Sequence, residues 1–280
     1  MKTVIGLDVG ISTTKIVGVR DGVIISPMRV KATDPVTSLY GALGKYMSDN
    51  GLGFEDIERL MLTGVGASYV GDKVFDINVG KIDEFTADAL GAKQDMDIDK
   101  MIVVSMGTGT TIVKYDNGNV SHLGGIAMGG GTLSGLSRLL LGTDDAGRAL
   151  ELASKGNIEN VNLNIGDISK EVLPGLPLNA TASLFGKVQH DTSPEDVALG
   201  LIYTVVQTIG SATILAAQST GIRDFFMIGS MTLLPQCKEI FGMMGQLYNV
   251  RFHIPQHSEY ATAIGAALSY NKSFASSTCK

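Results

Sequence analysis

Short apolar runs, each stopped by a glycine-containing turn, open the chain, and the same pattern restarts near residue 100. Thr3–Asp8, Lys15–Arg20 and Val23–Val30 read as strands, with Asp21-Gly22 as a hairpin turn between the last two. Between Val36 and Asn50 the spacing becomes helical (Val36, Leu39, Leu43, Tyr46, Met47), and Asn50-Gly51 supplies a stop. Glu58–Thr63 returns as a strand running into Gly64-Val65-Gly66, and Glu84–Ala92 reads as a helix start. After the polar stretch Gln94–Lys100, strands follow at Met101–Met106, Thr110–Asp116 and Asn119–Leu123, with Asp116-Asn117-Gly118-Asn119 as a turn. Helices are expected at Thr132–Leu141, Asp145–Lys155 and Glu195–Thr220. The strand Phe225–Ile228, the helix Leu233–Gln246, the strand Arg251–Ile254 and a small-residue helix Tyr260–Tyr270 complete the pattern.

The order βββαβα therefore occurs twice, the second time with a helical insertion, which predicts an α/β duplication with two halves around a cleft. The boundaries expected are 1–95 for the first half, 96–272 for the second and 273–280 for a polar tail without periodicity.

Composition narrows the class. With 280 residues, 44% hydrophobic and 18% charged, the chain has the balance of a folded protein with one large or two smaller cores. A net charge of −6 without a Lys/Arg-rich run argues against a nucleic-acid or anionic-membrane surface. The apolar stretch Val205–Ala217 is broken by Gln207, Thr208, Ser211 and Thr213, and a strand begins within three residues of Met1, so neither a membrane span nor a signal peptide is expected. Cys237 and Cys279 give neither a disulfide framework nor a CxxC site. A cytoplasmic protein is the expectation.

The 35 glycines cluster at the ends of apolar runs, where the candidate chemistry lies. In Asp8-Val9-Gly10-Ile11-Ser12-Thr13-Thr14-Lys15, Asp8 can hold Mg²⁺ through water, and the hydroxyls and N–H groups of Ser12, Thr13 and Thr14 can cap phosphate oxygens. Lys15 adds a cation or faces solvent. Gly107-Thr108-Gly109-Thr110-Thr111 allows a second close approach to phosphate. Gly129-Gly130-Gly131-Thr132 opens a helix, where free N–H groups and the dipole favour an anion. Glu84 is the first choice for the general base of phosphoryl transfer from ATP, with Asp83 and Asp88 as competitors; a first-turn Glu also complements the helix dipole. The four histidines have no ligand-type spacing, and Met227, Met231, Met243 and Met244 read as core filler.

Together, Gly107-Thr108-Gly109-Thr110 and Leu123-Gly124-Gly125-Ile126-x-x-Gly129-Gly130-Gly131-Thr132-x-x-Gly135-Leu136 resemble the signature of the type II (eukaryotic-like) pantothenate kinases, within the acetate and sugar kinase/Hsp70/actin superfamily. The resemblance runs from residue 1 to about 272. It implies an actin-like ATPase fold and ATP- and Mg²⁺-dependent phosphorylation of pantothenate, the first step toward coenzyme A. It also implies a homodimer, with Glu195–Thr220 the candidate interface helix, and a CoA or acyl-CoA feedback ligand. The ATP site it implies comprises Asp8, Gly10, Ser12, Thr13, Thr14, Lys15, Thr108, Gly109, Gly129, Gly130, Gly131, Ser134, Gly229 and Ser230, with Asp8 at the metal and Glu84 as catalytic base. Ser105, His122, Gly124 and Gly125 fall on the substrate side. The family carries an arginine at the position of His122, and histidine lacks its bidentate guanidinium. That departure leaves room for a related alcohol such as pantetheine, or for a nucleotide- or acyl-CoA-binding paralogue. A sugar or N-acetylhexosamine kinase and a dehydratase-activating ATPase are the other readings; the latter resembles Asp8–Lys15 but needs cluster-bridging cysteines.

Overall fold

The computed structural model describes residues 2–32, 34–94, 96–171, 175 and 177–270, so the expected tail at 273–280 and Cys279 lie outside the described residues. Strands β1 (Thr3–Val9), β2 (Thr13–Arg20) and β3 (Val23–Lys31) form an antiparallel meander. Helix α1 (Pro35–Asn50) follows, then β4 (Ile57–Thr63), β5 (Lys73–Val74), β6 (Ile77–Lys81) and α2 (Glu84–Lys93). The second meander is β7 (Lys100–Met106), β8 (Thr110–Asp116) and β9 (Asn119–Ile126). Helices α3 (Gly130–Leu141) and α4 (Ala146–Ala153) come next. After them stand the short elements β10 (Leu163–Asn164), α5 (Ile165–Ile168) and β11 (Thr181–Ser183), and the long α6 (Pro194–Ala217). The chain closes with β12 (Asp224–Ile228), α7 (Gln236–Tyr248), β13 (Arg251–His253) and α8 (Ala261–Leu268).

The two sheets share one plan. Their orders are β3-β2-β1-β4-β6-β5 and β9-β8-β7-β12-β13, and in each the first strand pairs antiparallel with the second and parallel with the strand that follows the helix. Local chemistry explains the joints. Asp21 and Gly22 take φ of 54° and 79°, and Asn117 and Gly118 take 50° and 89°, the left-handed pairs of tight hairpin turns. Helix α1 begins on Asp34, whose carboxylate accepts from the Thr37 N–H at 2.7 Å, and stops at Gly51 with φ 61°.

Each sheet is covered on both faces. Leu39, Leu43 and Tyr46 of α1 pack on Ile5, Leu7, Leu60 and Leu62, and α4, α6 and α7 cover Ile102, Val104, Phe225 and Met227. The inner faces are covered by exchange. Ala89 and Ala92 of α2 pack on the second sheet, against Met101, Val103 and Phe226. Ala263, Ile264 and Ala267 of α8 pack on the first, against Val17 and Val19. The helices α2 and α8 cross between the sheets at backbone contact: a Cβ on Gly91 would overlap the Ala261 carbonyl, and one on Gly265 the Ala87 carbonyl.

Several elements differ from expectation. The hairpin β5–β6 has too short an alternation, Ile77 and Val79, to signal a strand. Strand β9 continues past Leu123 to Ile126 because the register skips Leu123, with Gly124 at φ 151°. The helix expected from Leu233 starts at Gln236: Ser230–Leu233 make a 3-10 turn, and Pro235 disfavours helix at Leu234. Asp145 is a cap rather than a helical residue, accepting from Gly147 N–H at 2.7 Å. The insertion holds β10, α5 and β11 beside the expected helices. Finally, α6 is long and apolar enough to cross a membrane by length and composition, unlike the broken stretch expected, but over half of that window is buried. Its apolarity serves the core of its own chain: Ile202, Val205, Val206 and Ile209 are at or near complete burial.

Candidate active site

A cleft of about 1130 Å³ opens between the two sheets. Its first wall is a row of side chains set by strand register. Asp8 pairs with Lys15 on one side and Thr63 on the other, and Lys15 pairs with Arg29, so the four side chains share one face of the sheet. Lys15 Nζ stands 3.5 Å from Asp8 Oδ2, both side chains largely buried. Burial raises the Asp8 pKa, and Lys15 opposes it by charge and hydrogen bonding. The β1–β2 turn closes with Gly10 N–H donating to the Thr13 carbonyl at 3.1 Å, which leaves Ser12 and Thr13 on the cleft. Thr14 is not there. Strand alternation turns it inward, fully buried with Oγ1 unpartnered, which corrects its expected place on phosphate.

The second wall joins the two glycine loops. Gly107 N–H donates to the Gly109 carbonyl at 2.9 Å, Gly130 N–H to Gly107 at 2.8 Å and Gly131 N–H to Thr108 at 2.9 Å. Thr110 Oγ1 donates to the Met128 carbonyl at 2.8 Å. The Gly130 and Gly131 N–H groups are thus committed inside the protein, not free for an anion as the sequence suggested. Their glycines, with Gly129, are needed because a Cβ would press on the Gly107–Thr108 backbone. Gly130 and Gly131 still line the cleft, Gly129 does not, and Thr108 and Gly109 form its edge. Gly229 (φ 95°) abuts the Met106 backbone, and its N–H donates to the Ser258 carbonyl at 2.8 Å, which turns Ser230 into the cleft. Ser134 lines the same side, beside the apolar Leu150, Ile202, Met231 and Leu233. Leu150 and Ile202 lie on α4 and α6, whose sequences carry no binding motif.

The three carboxylates near the start of α2 separate cleanly. Asp83 is the N-cap, accepting from Thr86 N–H at 2.9 Å. Asp88 is fully buried, and Thr262 Oγ1 donates to its Oδ1 at 2.6 Å. Only Glu84 opens onto the cleft. Protein around its carboxyl raises its pKa, the nearby Asp8 charge raises it further, and Lys15 works against both. Ser105 and Gly125 line the cleft on this side. His122 and Gly124 do not: the His122 ring stacks on Phe85, centroids 4.6 Å apart with planes 2° from parallel, and Gly124 serves the β9 bulge. Arg29, which the sequence did not mark, also lines the cleft, with Nη1 2.6 Å from the buried Glu259. Only its register beside Lys15 could have flagged it.

Burial drives the Asp88 pKa from 3.8 up to about 8, with the Glu84 and Asp8 charges adding to it against the Thr262 hydrogen bond. The folded protein therefore keeps a proton that the unfolded chain releases. Stability from this residue is full below about pH 4, falls as pH rises to about 8, and is level beyond. The displacement is worth at most roughly 6 kcal/mol across that window. Asp88→Asn, which carries no proton to lose, is expected to melt higher than wild type at pH 8.5 and to show a flatter Tm between pH 5 and 8.5. Parallel Tm curves would refute this.

The donor set suits a hard divalent cation held mostly by phosphate and water. Asp8 offers one carboxylate at a strand end, and among the described residues no three His, Cys, Asp or Glu side chains cluster as a closed metal cage. Cys237 is unsuited to bridging a cluster: it is fully buried, its Sγ donates to the Met231 carbonyl, and burial pushes its pKa to about 12.

With this geometry in view, the family model called Fumble matches residues 67–269. A type II pantothenate kinase of Staphylococcus haemolyticus is 26% identical over 219 residues, covering 75% of this chain and 82% of that protein. A type II pantothenate kinase of Staphylococcus aureus USA300 is 29% identical over 185 residues, covering 63% and 69%. Among solved structures, the activator of 2-hydroxyisocaproyl-CoA dehydratase from Clostridium difficile, with bound ADPNP, superposes with a TM-score of 0.66 at 20% identity, over 95% of this chain and 93% of that one. At that identity the likeness carries the fold alone.

Proposed function

Since the chain belongs to the Fumble family and is a kinase of the actin-like ATPase fold, we propose that it transfers the γ-phosphoryl group of ATP to the primary hydroxyl of pantothenate, with Glu84 as general base. The observation that carries this is the separation of the three carboxylates: Glu84 alone faces the cleft, beside the Asp8–Lys15 pair. Phosphoryl transfer asks mainly for positioning and charge, plus one carboxylate to take the hydroxyl proton. In this reading the adenosine lies toward Gly229, Ser230, Leu150 and Ile202. The phosphates lie between Ser12–Thr13 and Thr108–Gly109, and the alcohol lies beside Glu84 and Ser105. Mg²⁺ bound at Asp8 would neutralise charge on the phosphates. Lys15 keeps Asp8 in place, and the raised Glu84 pKa makes its carboxylate a better proton acceptor.

The test is ADP release with ATP, Mg²⁺ and pantothenate, with the phosphorylated product identified by mass spectrometry. Tight nucleotide binding without turnover on pantothenate ends the proposal.

His122 favours a second reading, a pantothenate-like alcohol without the carboxylate, such as pantetheine. Its ring is stacked on Phe85, the residue after the base, and offers no bidentate fork to an anion. His122→Arg is expected to raise kcat/KM for pantothenate at least about tenfold, with a smaller change for pantetheine. Equal changes for both alcohols would remove this residue as the discriminator. The same proposal makes the protein a cytoplasmic homodimer subject to CoA or acyl-CoA feedback. Sedimentation velocity and CoA titration into the assay test the last two.

A further inference from the structure

The buried face of the α2–α8 crossing is apolar and mostly alanine and glycine, except for one facing polar pair, Asp88 and Thr262. The other buried positions of α2 are Ala87, Ala89, Leu90, Gly91 and Ala92, and those of α8 apart from Thr262 are alanines, Ile264 and Gly265. Into this contact the chain places a carboxyl, Asp88, four residues after Glu84 and on the same side of the helix. Thr262 Oγ1 of α8 donates to its Oδ1 at 2.6 Å. Ser105 of β7 stands near the same carboxyl and works against its raised pKa, but Oδ2 has no hydrogen-bond partner. Both neighbours, Thr262 and Ser105, line the cleft. Packing alone would be served by another alanine, so an incompletely satisfied buried carboxyl at this point calls for a different role.

We propose that Asp88 is a positioning residue of the transfer step: its carboxyl ties Thr262 of α8 to Ser105 of β7 beneath Glu84, and so sets where the base and the substrate-side hydroxyl stand. The carboxyl acts as a neutral acid, with Oδ1 accepting from Thr262 and the Oδ2 proton available to Ser105 Oγ. Because α2 lies on one sheet and α8 on the other, the tie also links the base to the relative setting of the two walls of the cleft. This inference rests on Glu84 being the base.

The experiment compares wild type, Asp88→Asn, Asp88→Ala, Thr262→Val and Glu84→Gln by ADP release with ATP and pantothenate, with a melting curve for each. Asp88→Ala and Thr262→Val are expected to lose about ten- to hundredfold in kcat while KM for ATP stays within about twofold, since misplacement of the base affects the chemical step and not nucleotide binding. Asp88→Asn presents an acceptor and a donor in the same places and is expected to stay within about threefold of wild-type kcat. Wild-type kcat in folded Asp88→Ala or in Thr262→Val overturns the inference. So does Asp88→Asn as impaired as Asp88→Ala, because a charged carboxylate would then be the active form. If Asp88→Ala does not melt cooperatively, Thr262→Val and Asp88→Asn decide. Turnover surviving in Glu84→Gln defeats the base assignment and this inference with it, whereas an inactive Glu84→Gln beside an active Thr262→Val defeats only the tie.

Discussion

Glu84→Gln is expected to lower kcat at least about a hundredfold while leaving ATP affinity within about threefold. The amide keeps the size and the place of the carboxylate at the first turn of α2 but cannot accept the hydroxyl proton of the alcohol. Asp83 is held as the helix cap and Asp88 is buried against Thr262, so neither can replace it. The residues proposed for the phosphates lie on other elements, β1–β2 and β7–β8, which is why binding and turnover should separate. Removing a negative charge beside Asp8 also relieves a repulsion within the site, so weaker ATP binding is not the expected direction. Titration with a non-hydrolysable ATP analogue alongside ADP release measures both quantities. A kcat within about threefold of wild type would remove Glu84 as the base.

Gly265→Ala is expected to destabilise the fold by about 3 kcal/mol or more. Alanine is the better helix former by roughly 0.5–1 kcal/mol, so the local preference points the other way. Tertiary contact reverses the sign, because the new methyl would overlap the carbonyl of Ala87 and lie against the Gly91 nitrogen. Neither helix can retreat without opening the packing of Ala263 and Ala267 on β2 or of Ala89 and Ala92 on β7. Gly44→Ala in the exposed face of α1 is the control: nothing lies within 4 Å of its Cβ, and a gain of about 0.5 kcal/mol is expected. Melting curves of the two variants should move in opposite directions; movement together would refute the account of the crossing.

These cases show which parts of the molecule local chemistry could announce. Asp21-Gly22 and Asn117-Gly118 announce hairpin turns because left-handed backbone is cheap only for such pairs. The strands of both meanders follow from short apolar runs bounded by turns, and the duplication follows from their order. Asp8, Ser12, Thr13, Lys15, Thr108, Gly109 and Glu84 were legible as cleft residues because each sits in a turn or at an element end where a side chain or backbone must face something else. Thr14 takes the buried face because β2 begins at Thr13, not at the expected Lys15, so the turn ends before Thr14 and strand alternation turns it inward. The glycine platform differs from expectation in another way. The sequence predicts close approach at Gly129–Gly131, which is correct, but the neighbour is the Gly107–Thr108 backbone, brought alongside by the β8–β9 hairpin between them.

Two α/β halves, the glycine loops and the candidate base are readable from the chain, since they depend on apolar runs, turn chemistry and residues close together along it. Folding alone reveals that α2 and α8 change places, that Arg29 joins Lys15 and Asp8 in one row, and that Asp88 is paired with Thr262 rather than open to the cleft. The physical reason is the same in each case. Burial and pairing are set by residues that meet across 174 positions for Asp88 and Thr262 and 230 for Arg29 and Glu259, and no local pattern carries that information.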